Sequence, residues 1–241
     1  METLTHFLYT LSFVLLPLAS AIVLHEYAHG WVANYFGDST AKSLGRLTLN
    51  PLPHIDPIGS ILVPLSLIFL FPGGFLFGWA KPVPIDPRRL YHPKRDMAFV
   101  AAAGPAMNLF LAIMSSALIY LFLVIDPTVQ QNWPPQPGVE PRRDLVGMIL
   151  VPLTAMALFS VVINTLLFAF NLLPIPPLDG SRIMTSILPL KPAIALARLE
   201  PYGMLIILGL FIVDPYVPII STIIGTVFQI MTSTLLAPVI S

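Results

Sequence analysis

Two histidines and a glutamate stand together at His25-Glu26-Tyr27-Ala28-His29, inside one of the most apolar stretches of the chain. On a helix, residues four apart share a face one turn apart, so the two imidazoles can offer nitrogens to one zinc ion while Glu26 stands beside them as a base for water. From five His and four Glu in 241 residues, roughly 0.002 occurrences of this spacing are expected by chance. The competing reading is structural, a helical His pair hydrogen-bonded within a bundle. An ionisable group near mid-bilayer costs roughly 2.5 to 3.5 kcal/mol on insertion scales, so three of them in one apolar run are more readily explained by chemistry than by stability.

A second constellation closes a later apolar helix at Asn171-Leu172-Leu173-Pro174-Ile175-Pro176-Pro177-Leu178-Asp179-Gly180. Its three prolines remove backbone donors and forbid a regular helix, and irregular backbone at membrane depth has to line a protein cavity. Asp179 is the carboxylate best placed to supply a third zinc ligand, leaving a fourth position for water; the alternative is an interfacial Asp capping a helix around 181–188. The chain has no cysteine, so any metal must take nitrogen and oxygen ligands. His54 lies in a Pro-rich loop, where it either reaches or gates the site or is simply solvated. Asn108 falls mid-helix among apolar residues, where an unpaired amide is costly, so it should bond across helices. His6 and His92 carry no assigned role.

The elements that must position these groups are membrane helices. Hydrophobic residues make up 56% and charged residues 10% of the chain, against about 25% charge in a soluble domain, and mean hydropathy is +0.84. Zero net charge argues against a nucleic-acid partner. Apolar runs occur at about 7–36, 97–125 and 146–171, with shorter ones at 58–71, 201–213 and 216–236. Pro17 and Pro152 should kink their helices, and Gly37 should end the first. The start lacks a basic region and a small-residue cleavage site, so the first helix is expected to be retained. The fold class is therefore an all-α polytopic membrane protein with five to six transmembrane helices, in a single domain whose core covers about 7–190 and whose additional helices cover about 193–238. The segments 43–49 and 78–85 read as short strands near the membrane surface, forming a small β element, and the prolines around 134–138 mark an irregular loop.

For Asp179 to meet His25 and His29, the first helix and the 146–171 helix must run in the same direction, which requires the 58–71 run to be re-entrant. That arrangement divides the 12 Lys and Arg ten to two, with only Arg142 and Arg143 opposite the site, whereas a fully spanning run divides them eight to four. The positive-inside rule therefore favours re-entry and a site toward the cytoplasm.

These motifs resemble the site-2 protease family of intramembrane zinc metalloproteases, most nearly its compact prokaryotic members without PDZ or CBS domains. The resemblance covers nearly the whole chain and rests on His25 to His29, on Gly104-Pro105-Ala106-Met107-Asn108 and on the N-x-x-P-x-x-x-L-D-G element from Asn171 to Gly180. It implies one Zn2+ held by His25, His29 and Asp179, Glu26 as catalytic acid/base, and Asn171 as a contact to substrate or developing oxyanion; Asn108 and His54, from their own positions, are further candidates at the site. The chain departs from many members at Ser181, where a second glycine is usual, and in the stretch 50–74, absent from some relatives. The expected substrate is a transmembrane protein or peptide in the lipid bilayer of the cell membrane, unwound locally and held by β-augmentation on an exposed strand edge. A non-proteolytic zinc carrier or scaffold of the same fold, and a hydrolase of a non-peptide substrate, are the rival readings.

Overall fold

A computed structural model describes residues 2–70, 78–132 and 144–240. The helices are α1 (Glu2–Tyr35), α2 (Thr40–Ser43), α3 (Val63–Leu70), α4 (Pro93–Ile125), α5 (Leu145–Asn171), α6 (Asp179–Ile187), α7 (Leu190–Ala197), α8 (Gly203–Val213) and α9 (Ile220–Ile240). Among the described residues, five helical stretches are long and apolar enough to cross a membrane: Leu11–Tyr35, Pro93–Ile125, Val146–Asn171, Leu190–Val213, which joins α7 and α8, and Ile220–Ala237. The protein is a multi-pass, all-helical membrane protein. Pro17, Pro105 and Pro152 are all accommodated within helices, as membrane helices allow.

The centre of the fold is the mutual packing of α1, α4 and α5, with α6 laid against α4. Ile119, Ala157 and Val161 join α4 to α5, and Leu235 and Leu236 of α9 cover them. A second cluster supports the polypeptide after α5: Leu173 and Leu178 pack with Ile207 of α8 and Ile220 of α9. Gly203 extends this support, because a Cβ there would lie 2.4 Å from the Pro176 carbonyl oxygen. The C-terminal helices are thus a buttress beneath the loop that carries Asp179. At the other end of the site, α1 stops at Gly37, whose φ of 105° is open to glycine but strained for other residues. The fully buried Asp38 then accepts from the Thr40 N–H and, at 2.7 Å, from the Asp86 N–H, fastening the end of α1 to the chain entering α4.

The expected strands are not formed. Among the described residues there is no β-strand; 40–43 is helical and 78–86 runs without a backbone ladder. The physical reason lies in the prolines: Pro82 and Pro84 have no N–H, and the one amide between them, Val83 N–H, donates at 2.7 Å to Glu26 Oε2. The two segments are joined instead by a side chain, the Arg46 guanidinium donating to the Lys81 and Pro82 carbonyls at 2.9 and 3.2 Å.

The run near 58–71 begins as a π-helical turn, Pro57–Leu62, with the Asp56 carboxylate accepting from the Ile58 and Gly59 amides, and continues as α3. At 1.5 Å per residue, Pro57–Leu70 is about 21 Å long, short of the roughly 30 Å hydrocarbon core. The chain at 78–79 lies back against its start: the Trp79 N–H donates to the Gly59 carbonyl at 3.1 Å, and the Ser60 hydroxyl donates to the Trp79 carbonyl at 2.9 Å. Residues 71–77, the Pro-rich loop around 134–138, and Arg142 and Arg143 lie outside the described residues.

Candidate metal centre

His25 and His29 occupy the last third of α1, and Asp179 is the first residue of α6, eight positions beyond the end of α5. All three are buried, and they meet at the crossing of α1 and α4. Their meeting puts the C-terminal ends of α1 and α5 at the same end of the molecule, as the sequence requires of a shared site. His29 Nε2 lies 3.0 Å from His25 Nε2, and Asp179 Oδ2 lies 3.2 Å from each.

The opposite edge of each imidazole is bound to an acceptor. His25 Nδ1 is 2.6 Å from Asn108 Oδ1, and His29 Nδ1 is 2.7 Å from the Val100 carbonyl. An acceptor there requires the proton on Nδ1, which leaves the Nε2 lone pairs facing one another and facing a carboxylate oxygen that receives no hydrogen bond. Three electron-pair donors converging in a buried space repel unless a cation is among them. The donor set, two imidazoles and a carboxylate, is that of a zinc site with an open fourth position. Neighbouring ligands around a tetrahedral zinc at 2.0 to 2.1 Å are about 3.3 Å apart, close to the spacing found here. The residues present therefore fit the ion.

Two glycines make the approach possible. Gly104 on α4 faces the imidazoles so closely that a Cβ would lie 2.3 Å from His29 Nε2 and 2.5 Å from His25 Cε1. Gly180 lets the first turn of α6 close onto the end of α5, where a Cβ would lie 2.3 Å from the Leu172 carbonyl oxygen. Ser181, the departure from the family pattern, is buried, and its hydroxyl donates to the Leu178 carbonyl at 2.7 Å, so it closes the same turn.

The remaining expected site residues divide. Glu26 is half-buried, next to His25 in the chain and held by the Val83 amide. Asn108 bonds across helices as its buried amide requires, lying behind His25 with Oδ1 on its Nδ1, a contact that orients the imidazole. Asn171 donates through Nδ2 to the Leu167 carbonyl at 3.0 Å, fastening the last turn of α5. His54 is not gathered in: it is buried in its own loop, with Nε2 3.0 Å from the Thr48 carbonyl and its own carbonyl accepting from Lys81 N–H. Sequence reasoning missed Gly104 as the site's floor, Val83 as the partner of Glu26, and Asn164, which bonds to Asn108. The signal for Asn164 was present, since it too is an amide inside an apolar helix and needs a partner.

Comparison with known proteins gives one family and several relatives. The family model described as Peptidase family M50 matches residues 13–213. The chain is 36% identical to the "Putative zinc metalloprotease YwhC" of Bacillus subtilis over 200 residues, covering 83% of this chain and 80% of that protein. It is 32% identical over 196 residues to the "Putative zinc metalloprotease Rip2" of Mycolicibacterium smegmatis and 29% identical over 192 residues to the protein of that name from Mycobacterium tuberculosis. In both cases the match covers 80% of this chain and 63% of the Rip2 protein. No solved structure matches the chain.

Proposed function

The chain belongs to peptidase family M50, and from that membership together with the geometry of its buried centre we propose that it is an intramembrane zinc metalloprotease, hydrolysing peptide bonds within or near the transmembrane segments of other membrane proteins. The observation that carries this reading is the convergence of His25 Nε2, His29 Nε2 and Asp179 Oδ2 at 3.0 to 3.2 Å, with Glu26 next to the first ligand. His25, His29 and Asp179 would hold one zinc ion. Bound there, zinc supplies a Lewis acid that acidifies water and polarises a carbonyl.

The protein's own groups do the rest. Glu26 is the general base: its carboxylate accepts the proton of the attacking water and returns it to the leaving amine. The Val83 amide on Oε2 fixes one oxygen of that carboxylate and leaves Oε1 for the transfer. The site is walled by α1, α4 and α6, which keeps bulk water from a reaction that uses one water per bond cleaved. A substrate helix must unwind before its carbonyls are accessible, because each is otherwise committed to the amide four residues on.

The short helical run at Pro57–Leu70, with 78–79 returned to 59–60, supports a re-entrant segment, and the ten-to-two division of basic residues supports a site toward the cytoplasmic side of the cell membrane. The buttressing of the Asp179 loop by α8 and α9 supports one domain and not a core with dispensable appendages.

The test begins with zinc per polypeptide in detergent-purified protein. About one zinc in the wild type and its loss in Asp179→Ala is the expected result; no zinc in the wild type overturns the reading. Wild type and Glu26→Gln are then reconstituted with a panel of single-span membrane proteins, and new termini are read by mass spectrometry. Cleavage by the wild type alone is expected, and equal cleavage by both overturns the assignment of Glu26.

A further inference from the structure

Behind the centre, on the Nδ1 side of His25, a chain of polar groups crosses the interface of α4 and α5. His25 Nδ1 bonds to Asn108 Oδ1; Asn108 Nδ2 donates to Asn164 Oδ1 at 2.8 Å and to the Ala21 carbonyl at 3.3 Å. Asn164 Nδ2 donates in turn to the Ser160 carbonyl at 2.9 Å and to the Ser160 hydroxyl at 3.1 Å, and the Ser115 hydroxyl donates to the Ser160 oxygen at 2.7 Å. Asn108 and Asn164 are both 0% exposed. Nothing in the reaction uses Asn164, yet a buried amide in a membrane helix is costly enough to need a reason.

The chain has a direction, and two backbone carbonyls set it. A carbonyl oxygen only accepts, so the Ser160 carbonyl forces the Asn164 amide nitrogen toward it and the Asn164 oxygen toward Asn108. That oxygen and the Ala21 carbonyl then both require donors from Asn108, which presents its nitrogen to them and its oxygen to His25. His25 must answer with Nδ1–H, and its Nε2 becomes a bare lone pair pointed at His29 and Asp179. We infer that Asn164 is a positioning residue for the metal centre: anchored on the Ser160 carbonyl, it locks the amide of Asn108 and so holds His25 in its ligating tautomer and orientation. His29 needs no such relay, since its Nδ1 meets the Val100 carbonyl directly. The inference rests on the zinc reading above and adds to it a residue on a third helix, two side chains away from the ion.

Without Asn164, the Asn108 amide keeps only the longer bond to Ala21 and can turn over, offering NH2 to His25 and favouring the tautomer with the proton on Nε2. Partners of this kind commonly change metal affinity 10- to 100-fold. The experiment is zinc affinity by competition with a chromophoric chelator for full-length protein in detergent, comparing wild type, Asn164→Leu and Ser160→Ala. The last keeps the Ser160 carbonyl and loses only hydroxyl bonds, so it reports the packing cost of disturbing the same interface. Expected is a roughly 10- to 100-fold weaker affinity for Asn164→Leu, with Ser160→Ala within about threefold of wild type. Affinity unchanged in Asn164→Leu, or lowered equally in both variants, overturns the inference; a wild type that binds no zinc would instead overturn the zinc reading itself. Should Asn164→Leu fail to fold, Asn164→Ala decides the matter: the same loss of zinc affinity is expected, and wild-type affinity in Asn164→Ala overturns the relay.

Discussion

Gly104→Ala should empty the metal centre while leaving the helices standing. The added Cβ would lie 2.3 Å from His29 Nε2, 2.5 Å from His25 Cε1 and 2.6 Å from His25 Nε2, where ordinary contact begins at 3.4 Å. The imidazole of His29 would therefore have to retreat by more than 1 Å, whereas a zinc site tolerates only about ±0.2 Å in its ligand distances. Retreat is also opposed from behind, because His29 Nδ1 is bonded at 2.7 Å to Val100, one turn earlier on the helix that carries Gly104. If α4 moves instead, it carries Asn108 away from His25 and disturbs the second ligand. Either route costs at least one of three protein ligands, so zinc affinity should fall by at least about 100-fold, or roughly 2.7 kcal/mol. Overpacking itself costs about 1 to 3 kcal/mol, which the folded state should survive. Zinc per chain after desalting, chelator competition, and circular dichroism in the same detergent would read the three quantities. Gly209→Ala is the control: it makes the same change in α8, where a Cβ meets nothing within 4 Å, and should leave zinc unaltered. Wild-type stoichiometry and affinity in Gly104→Ala, with Gly209→Ala alike, would refute the argument that α4 forms the floor of the site.

Asn108→Leu removes the acceptor at His25 Nδ1 and should weaken zinc about 10- to 100-fold in the chelator assay. Glu26→Gln should keep zinc within about threefold of wild type and lower the cleavage rate by about 100-fold or more, measured on any substrate the wild type cuts. Gly180→Ala, with its Cβ 2.3 Å from the Leu172 carbonyl oxygen, should displace Asp179 and lower zinc content, and metal analysis beside Gly225→Ala, a site with open space, would show it. At the start of α9, the Ser221 hydroxyl and the amides of Ser221 and Ile220 hold the Asp214 carboxyl below its ordinary value. A lowered folded value stabilises the protein above the unfolded carboxylate pKa and loses that stability as pH falls through the folded one, so Asp214→Asn should flatten the acid limb of thermal stability.

The gathering of His25, His29 and Asp179 was legible in the sequence because each had a local signal: a period-four pair for the two histidines, and a helix stopped by prolines ahead of Asp179. The long helices were legible for the same reason, since an apolar run of bilayer length has little choice of structure. The β element failed where the local signal and the tertiary demand parted. Alternation and prolines near 78–85 do describe extended chain, but a strand exists only if its amides find a ladder, and the one amide available between Pro82 and Pro84 is taken by Glu26, 57 residues earlier. Asn108, Asn164 and His54 show the same limit from the other side. A buried amide or imidazole announces that it needs a partner and is silent about which one, so Asn108 could be placed at the site without its partner being named. His54 bonds through Nε2 within its own loop at Thr48, while Asn164, with no motif around it, reaches the centre through two amides. What remained hidden was therefore the polarity of the contacts, because direction in a chain of hydrogen bonds is fixed by groups, such as the carbonyls of Ala21 and Ser160, that every sequence has and only a fold brings to the right place.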